Sequence, residues 1–244
     1  AYTIAYPAWP LINGATSGLL GYSTRAEVAE QIAVVDAQNA EVSMRLASAD
    51  LATLAQDDPA YRYGVAGGAS VFLANCSQCH GAGAAGVQAG GYPNLLDDDW
   101  LWGGDLEAIE YTVRHGIRNE IDPDARWTEM PAFGDIFEDE EIVASVEYVL
   151  SISGQDHDAA LAEQGAVLFE EQCTACHGDM GEGIREMGAP NLTDAIWLYG
   201  GDRDTLTETI TYSRFGVMPP WGQRLNEAEI KADTLYLHQL GGGE

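Results

Sequence analysis

Hydrophobic positions along the chain recur at helical spacing, most clearly in two matching segments. Residues 139–152 and 227–240 each carry apolar side chains three or four positions apart, as expected for one face of an amphipathic helix. These positions are Ile142, Val146 and Val149 in the first segment and, less regularly, Ile230, Leu235 and Leu237 in the second. No segment of any length alternates apolar and polar residues as a half-buried strand would. The pattern therefore predicts a mainly α fold.

The two segments are parts of a longer internal repeat. Positions up to residue 105 recur 97 residues later, and positions from residue 130 onward recur 88 residues later. The first copy thus has nine extra residues, and the polar, proline-containing stretch 119–128 predicts a loop insertion there. The matched pairs include Gly68 and Gly165, Phe72 and Phe169, Pro93 and Pro190, Trp100 and Trp197, and Tyr148 and Tyr236. Each copy is expected to contain a first helix, a glycine-rich loop, a middle helix starting near Asp105 or Asp202, and the last helix.

Residues 1–63 lie outside the repeat and form an N-terminal extension. Thr24 and Glu27 are spaced as in a capping box, which predicts that a long helix starts there, and a short helix is expected at 49–56. The first ten residues combine three aromatic side chains with two prolines. Aromatic residues collect at membrane–water interfaces, whereas composition alone favours an aromatic tail packed on the protein, and both interpretations stay open. No run of 18 apolar residues occurs, so no complete membrane helix is expected within these residues.

Four cysteines occur in two identical arrangements, residues 76–80 and 173–177, which both have the pattern Cys-x-x-Cys-His. This is the attachment pattern of c-type haem. Two thiols three positions apart can form thioethers to one haem, and the adjacent histidine can bind its iron. A zinc ribbon would place its cysteine pairs about 15–20 residues apart, and neither a redox-active Cys-x-x-Cys nor a disulfide requires the histidines. The sequence predicts two covalently bound haem c groups, held by Cys76, Cys79 and His80 and by Cys173, Cys176 and His177.

Methionine is the predicted iron ligand on the opposite side of each haem. Met130 and Met218 occupy equivalent positions of the repeat, each directly before a proline. A lone methionine is more often core filler, but the paired occurrence favours ligation, which gives a higher reduction potential than two histidines. Met130 follows His80 by 50 residues and Met218 follows His177 by 41, so each methionine is assigned to the haem of its own copy. His115, close to the insertion, remains the alternative to Met130.

The chain is strongly acidic, with a formal charge of −28 from 39 acidic and 11 basic residues. Nucleic acid is therefore not expected as a partner, because a phosphate backbone is bound through Lys and Arg. The charge would attract a basic protein partner, and it is equally compatible with a merely solvated surface. In so acidic a chain, the arginines that are candidates for pairing with haem propionates are Arg114, Arg118, Arg214 and Arg224.

Each copy resembles a class I cytochrome c domain, and the resemblance covers residues 64–244. In that family a glycine and an aromatic residue of the first helix cross an aromatic residue of the last helix. The resemblance implies that Gly68 and Phe72 meet Tyr148, and that Gly165 and Phe169 meet Tyr236. It also implies that the carbonyl groups of Pro93 and Pro190, each 13 residues after the haem histidine, orient the imidazoles. Such an acceptor fixes the ring and raises the basicity of the ligand.

The whole layout resembles the dihaem subunit, subunit III, of cbb3-type cytochrome c oxidases. The matching segments are 6–10, 19–23, 94–104, 188–194, 196–200 and 216–219. The resemblance implies an N-terminal extension at 1–63 that begins where a membrane anchor ends, and cytochrome c domains at 64–153 and 154–244. It further implies that the protein lies at the periplasmic face of the bacterial inner membrane and that the full-length protein is anchored there.

The same resemblance implies a role in electron transfer and no catalytic activity for the chain by itself. Electrons would come from a soluble or membrane-bound c-type cytochrome donor and pass toward the catalytic subunit, with a monohaem subunit as a further partner. Two alternatives remain. A free dihaem carrier of the cytochrome c4 kind would lack residues 1–63, and a dihaem peroxidase would need an open sixth position, against which Met130 and Met218 argue.

Overall fold

Helices account for the regular secondary structure in the part of the chain that the computed structural model describes, residues 2–8 and 18–242. These ranges otherwise contain isolated β-bridges and no strand, so the predicted mainly α fold is confirmed. The α-helices are α1 (Tyr2–Ala5), α2 (Thr24–Ser48), α3 (Pro59–Asn75), α4 (Ser77–His80), α5 (Leu106–His115), α6 (Asp139–Ile152), α7 (Ala159–Gln172), α8 (Thr174–His177), α9 (Arg203–Tyr212) and α10 (Glu227–His238). Short 3-10 helices span Leu51–Thr53, Gln88–Gly90, Phe133–Asp135 and Arg185–Met187.

Side-chain caps explain where the repeated helices begin. The carboxylates of Asp105 and Asp202 accept hydrogen bonds from amides in the first turns of α5 and α9, at 2.8 and 3.0 Å. The last helices, α6 and α10, both begin with a capping box, which satisfies amides that have no partner within the helix. The predicted bounds of α6 agree with the structure, whereas the short helix expected at 49–56 is only the 3-10 helix Leu51–Thr53.

The chain divides into two compact units, residues up to 45 and residues from 46 onward. In the first unit Tyr6 stacks on Tyr2, with ring centroids 4.8 Å apart, and meets Tyr22 edge-on at 5.6 Å. The hydroxyl of Ser23 accepts a hydrogen bond from the first turn of α2 at 3.3 Å, so the cap lies one residue ahead of the predicted one.

Part of the aromatic segment identified in the sequence, Ala1, Trp9 and Pro10, lies outside the described residues. Within the described part, no helix is both long enough and apolar enough to cross a membrane.

In the second unit the first and last helices pair across the two copies of the repeat. Helix α3 belongs to the first copy, yet it packs along α10, the last helix of the second copy. Gly68 allows the close approach, because a Cβ there would overlap the Ala232 carbonyl group and lie 2.7 Å from the Cβ of Tyr236. Phe72, fully buried, meets Tyr236 with ring centroids 5.6 Å apart. The expectation that Gly68 and Phe72 meet Tyr148 is therefore wrong.

The last helix of the first copy pairs with the first helix of the second copy. Helix α6 ends the first copy and packs along α7, which begins the second. A Cβ at Gly165 would overlap the Ala144 carbonyl group, and the rings of Phe169 and Tyr148 lie 4.9 Å apart. The expected contact of Gly165 and Phe169 with Tyr236 is wrong as well. Residues 153–158 form the short connection between α6 and α7, and such connections favour packing between neighbouring helices.

The middle helices follow this exchange, so α5 packs on α10 and α9 on α6. We call the group formed by α3, α4, α5 and α10 the outer core, and the group formed by α6, α7, α8 and α9 the inner core. Buried residues of the outer core include Phe72, Ile109, Val113, Ile230 and Leu237, and those of the inner core include Val146, Val149, Leu150 and Leu206. The ranges 64–153 and 154–244 thus delimit copies of the sequence, and as domain boundaries they remain a prediction.

Candidate haem-binding sites

The first Cys-x-x-Cys-His turn lies in the outer core. Cys76 directly follows α3, its amide donating to the Phe72 carbonyl at 2.8 Å, and the short helix α4 carries Cys79 and His80. Both thiols are free of disulfides. Nδ1 of His80 lies 3.2 Å from the carbonyl oxygen of Pro93, as predicted. This contact occupies one ring nitrogen and leaves Nε2 available to a metal.

The second turn repeats this geometry in the inner core. Cys173 directly follows α7, and α8 carries Cys176 and His177. His177 is 9% exposed, and its Nδ1 lies 3.1 Å from the carbonyl oxygen of Pro190. Burial lowers the pKa of both histidines, so both imidazoles are neutral at pH 7. Neutral imidazole is the form that binds iron.

The cysteines fit thioether attachment to a haem better than thiolate ligation of a metal. Burial raises the pKa of Cys76 and raises that of Cys173 to about 11. Among the described residues, the acidic and histidine side chains with ligand atoms clustered for an ion are His115, Asp122 and Asp124. The cysteine–histidine turns therefore do not resemble a zinc site.

Met218 lies in the outer core, although it comes from the second copy. Its amide donates to the Ile117 carbonyl at 2.9 Å, and its carbonyl accepts from the Ile117 amide at 3.0 Å. Three residues later, the Trp221 amide donates to the carbonyl of Val113 in α5 at 3.1 Å. Gly116, with φ +72°, is required at this point, because a Cβ there would overlap the Met218 carbonyl. The structure therefore groups Met218 with His80.

Met130 lies at the inner core, on the side of α9. The hydroxyl of Ser213, which directly follows α9, donates to the Met130 carbonyl. In the 3-10 helix that follows Met130, Gly134 packs against Thr211, such that a Cβ on the glycine would lie 2.7 Å from Cγ2 of the threonine. Met130 is thus grouped with His177. This arrangement reverses the assignment expected from chain order, in which each methionine serves the histidine of its own copy.

His115, the alternative to Met130, has other partners. Its Nδ1 lies 3.0 Å from Oδ2 of Asp122 in the insertion, and its ring packs on Tyr111 with centroids 4.5 Å apart. His115 ends α5 in the outer core, whereas Met130 belongs to the inner core. It is therefore not positioned to take the place of Met130.

The candidate arginines differ in their partners. Arg114 is paired with Glu227 at 2.6 Å and Glu110 at 2.8 Å, and Arg214 with Glu208 at 3.2 Å. Arg224 lies over the ring of Trp221, and Arg118 donates to backbone carbonyls.

Two further residues are not among the predicted ones. Arg126 lies over the rings of Trp102 and Tyr111, 5.3 and 4.7 Å from their centroids. It belongs to the insertion, so the repeat offers no signal for it. Asp233 is 1% exposed and lies 3.7 Å from the sulfur of Cys76. Burial raises its pKa to about 7. An acidic residue among the apolar positions of α10 is a sequence signal that identifies it.

Aromatic residues of each copy cover the glycine-rich loop of the other. Gly91 and Gly188 follow the two histidine turns, and both have left-handed φ angles of +66° and +56°. A Cβ at Gly188 would overlap the indole of Trp102, and one at Gly91 would lie 2.7 Å from Cζ of Tyr199. Nε1 of Trp102 is buried without a hydrogen-bond partner among the described residues. These reciprocal contacts bring the two sites next to each other.

The chain is similar to known proteins over its whole length. The family model described as "Cytochrome C oxidase, cbb3-type, subunit III" matches residues 64–149 and 160–237. The chain is 59% identical over 245 residues to the "Cbb3-type cytochrome c oxidase subunit CcoP" of Cereibacter sphaeroides, covering 100% of this chain and 84% of that protein. It is 49% identical over 255 residues to the CcoP subunit of Rhodobacter capsulatus, covering 100% and 85%. It is 46% identical over 244 residues to the FixP subunit of Azorhizobium caulinodans, covering 100% and 82%.

Proposed function

Because the chain belongs to the family of subunit III of cbb3-type cytochrome c oxidases, we infer that it is the electron-transfer subunit of such an oxidase. It works within an oxidoreductase complex and is not the catalytic subunit. Its cofactor is covalently bound haem c, and other subunits of the oxidase are its partners. A free-standing carrier of the cytochrome c4 kind is not favoured, because the relatives match the whole chain, residues 1–63 included.

We further propose that the chain holds two haem c groups, each of which would be held by the histidine of one copy and the methionine of the other. The outer haem is attached through Cys76 and Cys79 and bound by His80 and Met218. The inner haem is attached through Cys173 and Cys176 and bound by His177 and Met130. The observation that carries this proposal is the pair of Cys-x-x-Cys-His turns, each with an imidazole anchored on a proline carbonyl. The backbone pairing of Met218 with Ile117 supports the exchange.

Each bound haem would supply a one-electron couple, and the protein sets the conditions for it. The carbonyls of Pro93 and Pro190 hold the imidazoles in one orientation, so little rearrangement accompanies electron transfer. Thioether ligation from methionine favours the reduced state. Trp102 and Tyr199, each packed on the loop of the opposite site, hold the two sites next to each other, an arrangement that would favour electron transfer between them.

The surroundings of the protein follow from the same inference. The formal charge of −28 suits a basic c-type cytochrome, soluble or membrane-bound, as the donor, because opposite charges speed encounter. The acceptor is the catalytic subunit of the oxidase, and a monohaem subunit completes the complex. We place this chain at the periplasmic face of the bacterial inner membrane, anchored in the full-length protein.

Haem content and ligation test the proposal directly. The purified protein should retain two haems per chain after acid–acetone extraction. The double variants Cys76→Ala with Cys79→Ala, and Cys173→Ala with Cys176→Ala, should each retain one. A chain whose colour is lost on extraction would overturn the proposal.

Ligand assignment is tested in the variant that lacks Cys173 and Cys176, where only the outer haem is covalently bound. Met218→Ala should abolish the sulfur-to-iron charge-transfer band of that haem, and Met130→Ala should leave it intact. The opposite result would restore ligation within each copy. In the protein with both haems, each methionine variant should lose about half of the band intensity, since one iron of two is affected.

A further inference from the structure

Three segments lie side by side where the outer and inner cores exchange their helices. Ile117 forms an antiparallel bridge with Met218 and a parallel bridge with Arg126. The amide of the next residue, Arg118, donates to the Arg126 carbonyl at 2.8 Å. The segment 116–118 therefore lies between the segment that carries Met218 and the segment that leads to Met130.

The side chain of Arg118 joins the same two segments. Its Nε donates to the Gly216 carbonyl at 2.9 Å, and its Nη1 donates to the Thr128 carbonyl at 2.8 Å. Each of these carbonyls belongs to the residue two positions before a methionine. One planar guanidinium thus fixes both methionine segments, which a point charge such as ammonium cannot do with the same geometry.

Arg118 has an unusual backbone conformation and a partly buried side chain. Its φ of +49° lies in the left-handed region, which a residue with a side chain adopts where neighbouring structure enforces it, often at functional sites. Its guanidinium carbon lies 5.7 Å from the centre of the Phe215 ring. Burial lowers its pKa, and its hydrogen bonds go to carbonyl oxygens, which offset part of the cost of burying a charge.

We propose that Arg118 is a positioning residue shared by the two haem sites, which sets the places of Met218 and Met130 through the carbonyls of Gly216 and Thr128. The inference rests on the histidine–methionine ligation proposed above. It predicts that one substitution, outside both sets of iron ligands, weakens methionine ligation at both haems.

Arg126 provides a matched control. It lies in the adjoining segment and is partly buried like Arg118, but its side chain donates to the Thr112 hydroxyl and the Ala108 carbonyl, both on α5. Its guanidinium therefore ties the segment that leads to Met130 to α5 and makes no hydrogen bond to the segment that carries Met218. Arg126→Gln removes the same charge and the same number of donors without touching Gly216 or Thr128.

The experiment measures how readily added imidazole displaces methionine from each haem of the oxidised protein, followed by the charge-transfer band. In Arg118→Gln the apparent affinity for imidazole should rise about tenfold at both haems, since about 1.4 kcal/mol corresponds to a factor of ten and two charge-assisted bonds are lost. Arg118→Lys should restore ligation at one haem at most, because its ammonium cannot reproduce the guanidinium fork. Arg126→Gln should leave the imidazole affinity of the haem bound by Met218 unchanged, because its side chain makes no hydrogen bond to that segment.

Hydrogen exchange provides a second readout that does not involve the haem. In Arg118→Gln the amides of 127–130 and 216–218 should exchange faster, whereas in Arg126→Gln the amides of 216–218 should exchange at the unchanged rate. Unchanged imidazole affinity at either haem in Arg118→Gln, or equal effects in Arg126→Gln, would overturn the inference. If Arg118→Gln does not fold, Arg118→Lys is measured instead. An imidazole affinity equal to that of the unsubstituted protein at both haems would then refute the shared role. Absence of the band in the unsubstituted protein would instead refute the methionine ligation itself.

Discussion

Replacing Phe72 and Tyr236 by leucine, singly and together, tests whether α3 packs on α10 or on the last helix of its own copy. Phe72 is completely buried, and its ring centroid lies 5.6 Å from that of Tyr236 at an interplanar angle of 50°. Phe169 and Tyr148 form the equivalent pair in the inner core at 4.9 Å. Four double-mutant cycles join a phenylalanine with a tyrosine, two of them across the observed contacts and two within the copies of the sequence.

The structure sets the expected energies. Each single substitution removes part of a packed ring and should lower the free energy of unfolding by roughly 1–2 kcal/mol. Aromatic pairs at such distances contribute about 0.5–1.5 kcal/mol beyond the buried area, so the cycles for Phe72 with Tyr236 and for Phe169 with Tyr148 should each give a coupling of about 1 kcal/mol. Residues without contact are additive to within about 0.5 kcal/mol, so Phe72 with Tyr148 should show no coupling beyond that.

Guanidinium unfolding of the haem-loaded protein, followed by far-ultraviolet circular dichroism, provides the free energies. The haems stay covalently attached in the unfolded chain, so all variants share one reference state. Coupling between Phe72 and Tyr148, with additivity between Phe72 and Tyr236, would refute the exchanged packing and with it the grouping of Met218 with His80.

The other predictions concern single positions. Gly165→Ala places a Cβ against a carbonyl of α6 and should lower the free energy of unfolding by roughly 1–3 kcal/mol, measured by thermal unfolding; an unchanged melting temperature would contradict the close crossing. Burial raises the pKa of Asp233 to about 7, so folding favours the protonated carboxyl group. The free energy of unfolding should therefore be higher at acidic pH and fall as pH rises through about 7. The ionised carboxylate beside Cys76 should also favour ferric iron, so the potential of the outer haem should fall through the same pH range, and spectroelectrochemical titration of Asp233→Asn should show no such fall. Gly188→Ala should displace Trp102 and slow electron transfer between the haems in flash photolysis, whereas equal rates would exclude a role for that contact.

Local signals in the sequence predicted much of the fold. The apolar periodicity and the capping box of α6 predicted its bounds, because helix caps and amphipathic spacing depend on residues within a few positions. The contacts of His80 with Pro93 and of His177 with Pro190 were implied by the resemblance to class I cytochrome c domains, and the structure confirms them. The short helix expected at 49–56 is less regular than predicted, and Leu51 is instead buried by contacts of its 3-10 helix with α5.

The sequence by itself determined the two Cys-x-x-Cys-His turns, the paired methionines and the helices around them, because each depends on neighbouring residues. Only the tertiary structure decided which helix packs on which. Gly68 and Gly165 present the same small face, and Tyr148 and Tyr236 the same complementary one, so the repeat allows both pairings. The connection 153–158 between α6 and α7 is far shorter than the segment 76–138 that separates α3 from α6, and closing the shorter loop costs less entropy. Once α6 pairs with α7, α3 and α10 are left to pair with each other, and the two methionines exchange sites with them.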